Sequence, residues 1–287
     1  MAAYGPMLDA LRGVRWSTRS AVAAAAPGVH RSRQRGTAGE FTEYRLYRQG
    51  DDPRALDWKL LARSDRAFVR LSEERALLPT WVVLDGSASM AFPEGGAAVS
   101  KWQLACALAV GLSAVAHASG DPVGVLVAHG QSLLRMPPRT RRGTIIEIAR
   151  ALDAILCGGG PSLAALVAQV PARVRCVILT DCLGDLDALI RQASVLVAGG
   201  AWVECVHVVA AAELTLPDAV YLARDPEHAE RAQVLAPRAH AEYRARFAAF
   251  REDAAQRWRG SGAGYSEVVT NEAPARAVRR VVARTGV

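Results

Sequence analysis

The stretch Trp81–Met90, Trp-Val-Val-Leu-Asp-Gly-Ser-Ala-Ser-Met, constrains this chain more than any other. Trp81, Val82, Val83 and Leu84 form an unbroken apolar run, which predicts a short strand buried on both faces. The run stops at Asp85. Ser87 and Ser89 then alternate through a turn of small residues, and a helical pattern opens near Ser100-Lys101. One carboxylate and two hydroxyls are thus carried on a tight turn at the carboxyl end of a buried strand, where open α/β sheets bind their ligands. All three side chains present oxygen, the ligand atom that hard cations such as Mg²⁺ take.

A second run, Cys176 to Leu179, ends in Thr180-Asp181 in the same way. Two parallel neighbours of this kind place Asp85 and Asp181 across one crevice. Asp-x-Ser-x-Ser followed by a later strand-terminal Asp resembles the metal-ion-dependent adhesion site of von Willebrand factor A domains. The resemblance implies a divalent-metal site, Mg²⁺ or a similar ion, held by Asp85, Ser87, Ser89 and Asp181. In that family a loop Thr completes the site. The corresponding loop here reads Gly158-Gly159-Gly160-Pro161-Ser162-Leu163, so the Thr position holds Pro161, which has no ligand oxygen, and the neighbouring Ser162 is the substitute. Asp and Ser after a strand are also ordinary turn formers and helix caps. The second strand-terminal Asp and the Gly-rich loop are what favour the metal geometry.

A chain of 287 residues can bury a sizeable core, and 51% hydrophobic with 22% charged residues is the balance of a soluble globular protein. No apolar run reaches the ~18–20 residues that cross a bilayer. Ala21 to Ala26 is too short for a signal peptide, so the expected address is the cytoplasm. Cys106, Cys157, Cys176, Cys182 and Cys205 are odd in number and widely spaced, which predicts buried reduced thiols. The formal charge is +7, carried almost wholly by arginine, with Lys59 and Lys101 the only lysines. The arginines are dispersed apart from Arg12, Arg15, Arg19, Arg31, Arg33 and Arg35, so a solvated basic face is favoured over a nucleic-acid site.

Three regions follow. Residues 1–35 predict a basic, partly helical extension, residues 36–78 a dense motif segment packed on the core, and residues 79–287 an α/β domain. Within the second region, Phe41 through Arg63, with Gly50-Asp51-Asp52-Pro53-Arg54-Ala55-Leu56-Asp57-Trp58 at its centre, precedes Phe68-Val69-Arg70, Glu73-Glu74-Arg75 and the Asp-x-Ser-x-Ser-Met stretch. This order resembles the bacterial family called domain of unknown function 58, in which such a segment stands ahead of a von Willebrand A-like domain. Its members are commonly encoded beside MoxR-type AAA+ ATPases, which implies an adaptor or chaperone partner of such an ATPase. Charges of alternating sign between Glu43 and Arg63 predict an ion-pair web, with Asp57 and Arg63 buried and paired.

Downstream, strand and helix patterns alternate, which implies a mostly parallel sheet wrapped by helices. Helices are expected over 101–118, 144–156, 162–170 and 186–198, and strands over 123–128 and 202–209. Arg224 to Gly260 reads as a long helical stretch broken at Pro237. Tyr265–Val269 and Pro274–Thr285 read as a last strand and a closing helix. The von Willebrand A resemblance implies strand order 3-2-1-4-5-6, with the crevice between Asp85 and Asp181 at the topological switch point.

Enzymatic signals are weak. Neither phosphate-cradling glycine motif is present. Gly86-Ser87-Ala88-Ser89 lacks the flanking glycine of a nucleophile elbow, and the six histidines are scattered. The expectation is a non-enzymatic protein-binding module that captures a partner carboxylate at its metal. The alternatives are a metal-dependent phosphohydrolase and a basic nucleic-acid-associated adaptor.

Overall fold

A computed structural model describes residues 2–16, 41–49, 56–64, 66–72, 77–93, 98–130, 132–159, 162–215, 221–224, 232–235 and 237–284. The chain divides into two compact units, Met1–Ala26 with Leu77–Val287, and Pro27–Ala76. The larger unit begins with a single 3₁₀ turn and helix α1 (Gly5–Ala10). The smaller unit pairs β1 (Phe41–Leu46) antiparallel with β2 (Phe68–Ser72), and α2 (Trp58–Ser64) lies between them in sequence.

Asp57 is half-buried and does not form the buried pair expected with Arg63. Its Oδ1 accepts hydrogen bonds from the backbone N–H groups of Lys59 and Leu60, both at 3.0 Å, and Arg63 is exposed. A carboxylate directly ahead of a helix meets N–H groups that have no intrahelical partner, so it serves as the N-cap. The other members of the proposed ion-pair web at Asp51, Asp52 and Arg54 lie outside the described residues.

The larger unit is a six-stranded sheet with helices on both faces. In chain order it contains β3 (Thr80–Asp85), α3 (Lys101–Ala118), β4 (Val123–His129), β5 (Ser132–Arg139), α4 (Thr144–Asp153) and α5 (Leu163–Val167). Then follow β6 (Arg175–Thr180), α6 (Leu186–Ala198), β7 (Trp202–Val209) and the one-turn α7 (Ala211–Leu214). The small hairpin of β8 (Tyr221–Arg224) and β9 (Ala232–Leu235) precedes α8 (Pro237–Gly260), β10 (Gly264–Val269) and α9 (Pro274–Arg284). From the antiparallel edge the sheet runs β5-β4-β3-β6-β7-β10, and every pair except β4–β5 is parallel. This is the expected order 3-2-1-4-5-6, and the fold is α/β and von Willebrand factor A-like.

Alternation along the strands divides the core into two layers. Val82, Leu84, Val125, Val127, Val177 and Leu179 face α3 and α9, whereas Trp81, Val83, Leu126, Cys176 and Ile178 face the layer that holds α5, α6 and Trp258 of α8. Helix α3 is apolar on nearly every side because it is covered on nearly every side. At Gly111 a Cβ would come within 2.8 Å of Val278 Cγ2 and 3.2 Å of Leu11 Cδ1, so α9 and the residue after α1 depend on that glycine.

Two sequence expectations change here. Tyr4, Met7, Leu11 and Trp16 are core residues, so the described part of the N-terminal segment, residues 2–16, packs into the α/β unit. Pro237 starts a helix where a break was expected: proline lacks the N–H that would be unpaired in a first helical turn. The residues ahead of it pair as β8 and β9. No helix among the described residues is long and apolar enough to cross a membrane.

Candidate functional site

β3 and β6 are parallel neighbours in register at Leu84 and Leu179, so Asp85 and Asp181 leave the sheet side by side at its carboxyl edge. Asp85 is held on two sides. Thr180 Oγ1 donates to its Oδ2 at 2.7 Å, and the Ser87 N–H donates to its Oδ1 at 3.0 Å. The hydroxyls of Ser87 and Ser89 lie 3.1 Å apart and are hydrogen-bonded. Burial, with the negative charge of Asp181 added to it, raises the Asp85 carboxyl above the usual range, and the hydrogen bonds from Thr180 and Ser87 act in the opposite sense.

The turn is fixed by close packing at Gly86. A Cβ there would collide with the Ala128 carbonyl oxygen, which accepts the Gly86 N–H at 2.9 Å. The Gly-rich loop is tied to the same residue, because the Gly158 N–H donates to the Gly86 carbonyl at 2.9 Å. Ser162 is the exposed residue ahead of α5 and makes no side-chain cap bond, and none of its hydrogen bonds among the described residues joins it to the acidic cluster. Gly160 and Pro161 lie outside the described residues. The structure therefore brings together Asp85, Ser87, Ser89 and Asp181, and leaves Ser162 at the surface.

Asp181 has a partner that sequence reasoning missed. The Lys101 Nζ donates to Asp181 Oδ2 at 2.7 Å and to Glu213 Oε1 at 3.0 Å, and the Lys101 and Asp181 side chains are 1% and 2% exposed. Burial opposes the ammonium, but the charges and hydrogen bonds of Asp181 and Glu213 outweigh it and hold Lys101 above its ordinary range. The second oxygen of each carboxylate is also engaged: Leu183 N–H donates to Asp181 Oδ1 at 3.2 Å, and Ala210 N–H donates to Glu213 Oε2 at 2.7 Å. Lys101 carried one faint signal, as one of two lysines in an arginine-rich chain. Glu213 had only its place just after a buried strand.

Behind Asp181, His207 of β7 shares a 2.7 Å hydrogen bond with Tyr265. Burial pushes its imidazole down to about 4, against an opposing influence from Asp181, so it is neutral at physiological pH. Burial also pushes the Cys157 thiol up to about 12. The donor set does not fit a resident divalent ion as it stands. The oxygen that Asp181 would offer to a metal faces an ammonium, and both oxygens of Asp85 accept hydrogen bonds from the protein.

The pattern of the family described as "Protein of unknown function DUF58" matches residues 43–257. The chain belongs to this family. Two curated relatives of the DUF58 chain, the uncharacterized proteins Mb1516 of Mycobacterium bovis and Rv1480 of Mycobacterium tuberculosis, are each 32% identical to it over 185 residues. The match covers 62% of this chain and 58% of each relative, so it spans less than two thirds of their length. Among solved structures, BatB from Bacteroides thetaiotaomicron is 16% identical with a TM-score of 0.47, covering 73% of this chain and 98% of that one. The SpRpn10 VWA domain is 11% identical with a TM-score of 0.39, covering 71% of this chain and 94% of its own.

Proposed function

We propose that this DUF58 protein is a non-enzymatic protein-binding module that docks its partner on the loops at the carboxyl edge of β3 and β6. The observation that carries this reading is the closed polar network beneath those loops. Asp85 is bonded to Thr180 and the turn, Asp181 to Lys101, and Lys101 to Glu213. General acid–base or nucleophilic catalysis needs a group free to accept a proton or attack. Here the candidate base His207 is buried against Tyr265, and the Cys157 thiol stays protonated at neutral pH.

Three large apolar side chains are exposed on the loops around the network. Phe92 on the loop after β3, Leu183 on the loop after β6, and Leu156 ahead of the Gly-rich loop are 40%, 51% and 87% exposed. Large apolar side chains on loops tied together at one edge of a sheet suit a protein contact. The family resemblance supplies the partner class, a MoxR-type AAA+ ATPase, and a cytoplasmic location belongs to the same proposal.

The test is binding of the purified chain to such an ATPase. Leu183→Asp and Leu156→Asp, which alter exposed side chains and spare the network, are expected to weaken association at least about tenfold, roughly the loss of one good interface anchor. Unchanged binding in both variants would refute the docking face. Metal-dependent turnover of phosphate esters that disappears in Asp85→Ala would favour a phosphohydrolase instead.

A further inference from the structure

We propose that the cation of this crevice is the protein's own Lys101 ammonium, and that it stands in place of the divalent ion of metal-ion-dependent adhesion sites. Three independent features lead there.

The first is delivery. Lys101 is the opening residue of α3, and the helix start is held by reciprocal bonds: Ser100 Oγ accepts from the Gln103 N–H at 3.1 Å, and Gln103 Oε1 accepts from the Ser100 N–H at 3.0 Å. The Lys101 N–H donates to the Phe92 carbonyl at 2.9 Å, which ties it to the loop that carries Ser87 and Ser89. The Phe92 ring lies 5.9 Å from Nζ. The ammonium is thereby placed by a rigid element, with its four-carbon stem buried.

The second is coordination. Lysine presents three donors and no acceptor, and two of them are matched by Asp181 Oδ2 and Glu213 Oε1. Glu213 comes from α7, the single helical turn after β7, which the adhesion-site pattern does not use; its place here is explained by an internal cation that needs a second carboxylate. The third is the ligand side. The family's loop Thr is replaced by Pro161, Ser162 is exposed, and each oxygen of Asp85 already accepts one hydrogen bond, from Thr180 or from Ser87. A hard divalent ion needs about six oxygens with some left open to it. Lysine needs two.

The consequence is a site whose charge is always loaded. The metal-bridged capture of a partner carboxylate has no counterpart here, and docking proceeds in chelator. The inference deepens the reading of the same crevice, but it concerns the isolated chain and does not depend on which partner binds.

The experiment uses the purified full chain with Mg²⁺ or Mn²⁺ alone. Calorimetric titration and thermal melting of the wild type are expected to show no saturable binding and no melting shift. Lys101→Met keeps the stem and removes the charge. It is expected to melt lower and to recover several degrees with Mn²⁺, because a divalent ion can neutralise the two carboxylates that lose their cation, Asp181 and Glu213. Saturable one-to-one binding by the wild type that is lost in Asp85→Ala would overturn the proposal, as would a Lys101→Met protein as stable as wild type and indifferent to metal. If Lys101→Met does not fold, the neutral set Lys101→Met, Asp181→Asn, Glu213→Gln is expected to fold. Failure of that set would also overturn the assignment. Loss of ATPase binding in Leu183→Asp bears on the docking face alone, so the two readings can fail separately.

Discussion

The deepest charged pair outside the crevice offers a sharp test of the fold's energetics. At the amino edge of the sheet, Arg175 Nη1 donates to Asp121 Oδ2 at 2.9 Å and to Thr80 Oγ1 at 2.8 Å, and its guanidinium stacks 4.2 Å from the centroid of the Trp16 ring. Asp121 Oδ1 also accepts from the Leu78 N–H at 3.2 Å. Arg175 and Asp121 are 1% and 2% exposed at their side chains. Burial is the largest influence on both, raising the Asp121 carboxyl and lowering the Arg175 guanidinium, against the pull of their own attraction. Each partner is thus driven toward its neutral form, the signature of an ion pair whose desolvation is not fully recovered by its attraction. Removing one side is still expensive. Asp121→Ala strands a buried cation and an unpaired N–H, and is expected to cost about 3–5 kcal/mol. With an m-value of about 3 kcal/mol per M, the urea midpoint falls by roughly 1–2 M. The double variant Arg175→Met with Asp121→Asn removes both charges and keeps an acceptor for Leu78, and is expected to cost less than Asp121→Ala alone. Urea denaturation of wild type, Asp121→Ala, and the cycle made of Asp121→Asn, Arg175→Met and their double decides the matter. A loss under about 1 kcal/mol in Asp121→Ala, or strict additivity of Asp121→Asn and Arg175→Met in the double, would refute the reasoning.

Two further outcomes follow from the same core. Folded His207 titrates near 4 instead of 6.5, so the unfolded chain binds its proton first as pH falls; stability is fully present above about 6.5 and is lost toward 4, by about 3 kcal/mol at ~1.4 kcal/mol per unit. The raised carboxyls of Asp85, Asp121 and Glu204 act with the opposite sign, so the readout is the slope of stability with pH in wild type minus that in His207→Gln, and equal slopes would refute the assignment. Trp16→Ala removes a nearly inaccessible ring that meets Trp202 edge-on at 6.2 Å and covers Arg175, and is expected to cost about 3–5 kcal/mol in a denaturant melt; a loss under about 1 kcal/mol would show that the N-terminal segment is dispensable to the fold.

What could be read from the chain alone was local. Uninterrupted apolar runs mark β3 and β6, and the bounds of α3 and α6 coincide with their sequence patterns because caps and glycines punctuate the backbone where it turns. Asp85 and Asp181 were legible because a strand-terminal carboxylate announces itself by position. The strand order needed the family resemblance, since periodicity reveals that a strand is buried and not which neighbour it takes. Only the tertiary structure decided the partners. Lys101 reaches Asp181 across 80 positions and Glu213 across 112, and Arg175 reaches Asp121 across 54. No spacing rule links such residues, because a charged side chain in a helix start or a turn has the same local pattern whether it meets water or a buried carboxylate. The same limit hid the role of Tyr4, Met7, Leu11 and Trp16. A short apolar pattern in a basic segment becomes core only when α3 and α9 leave a surface for it to cover, and that surface exists only after the sheet has closed around its helices.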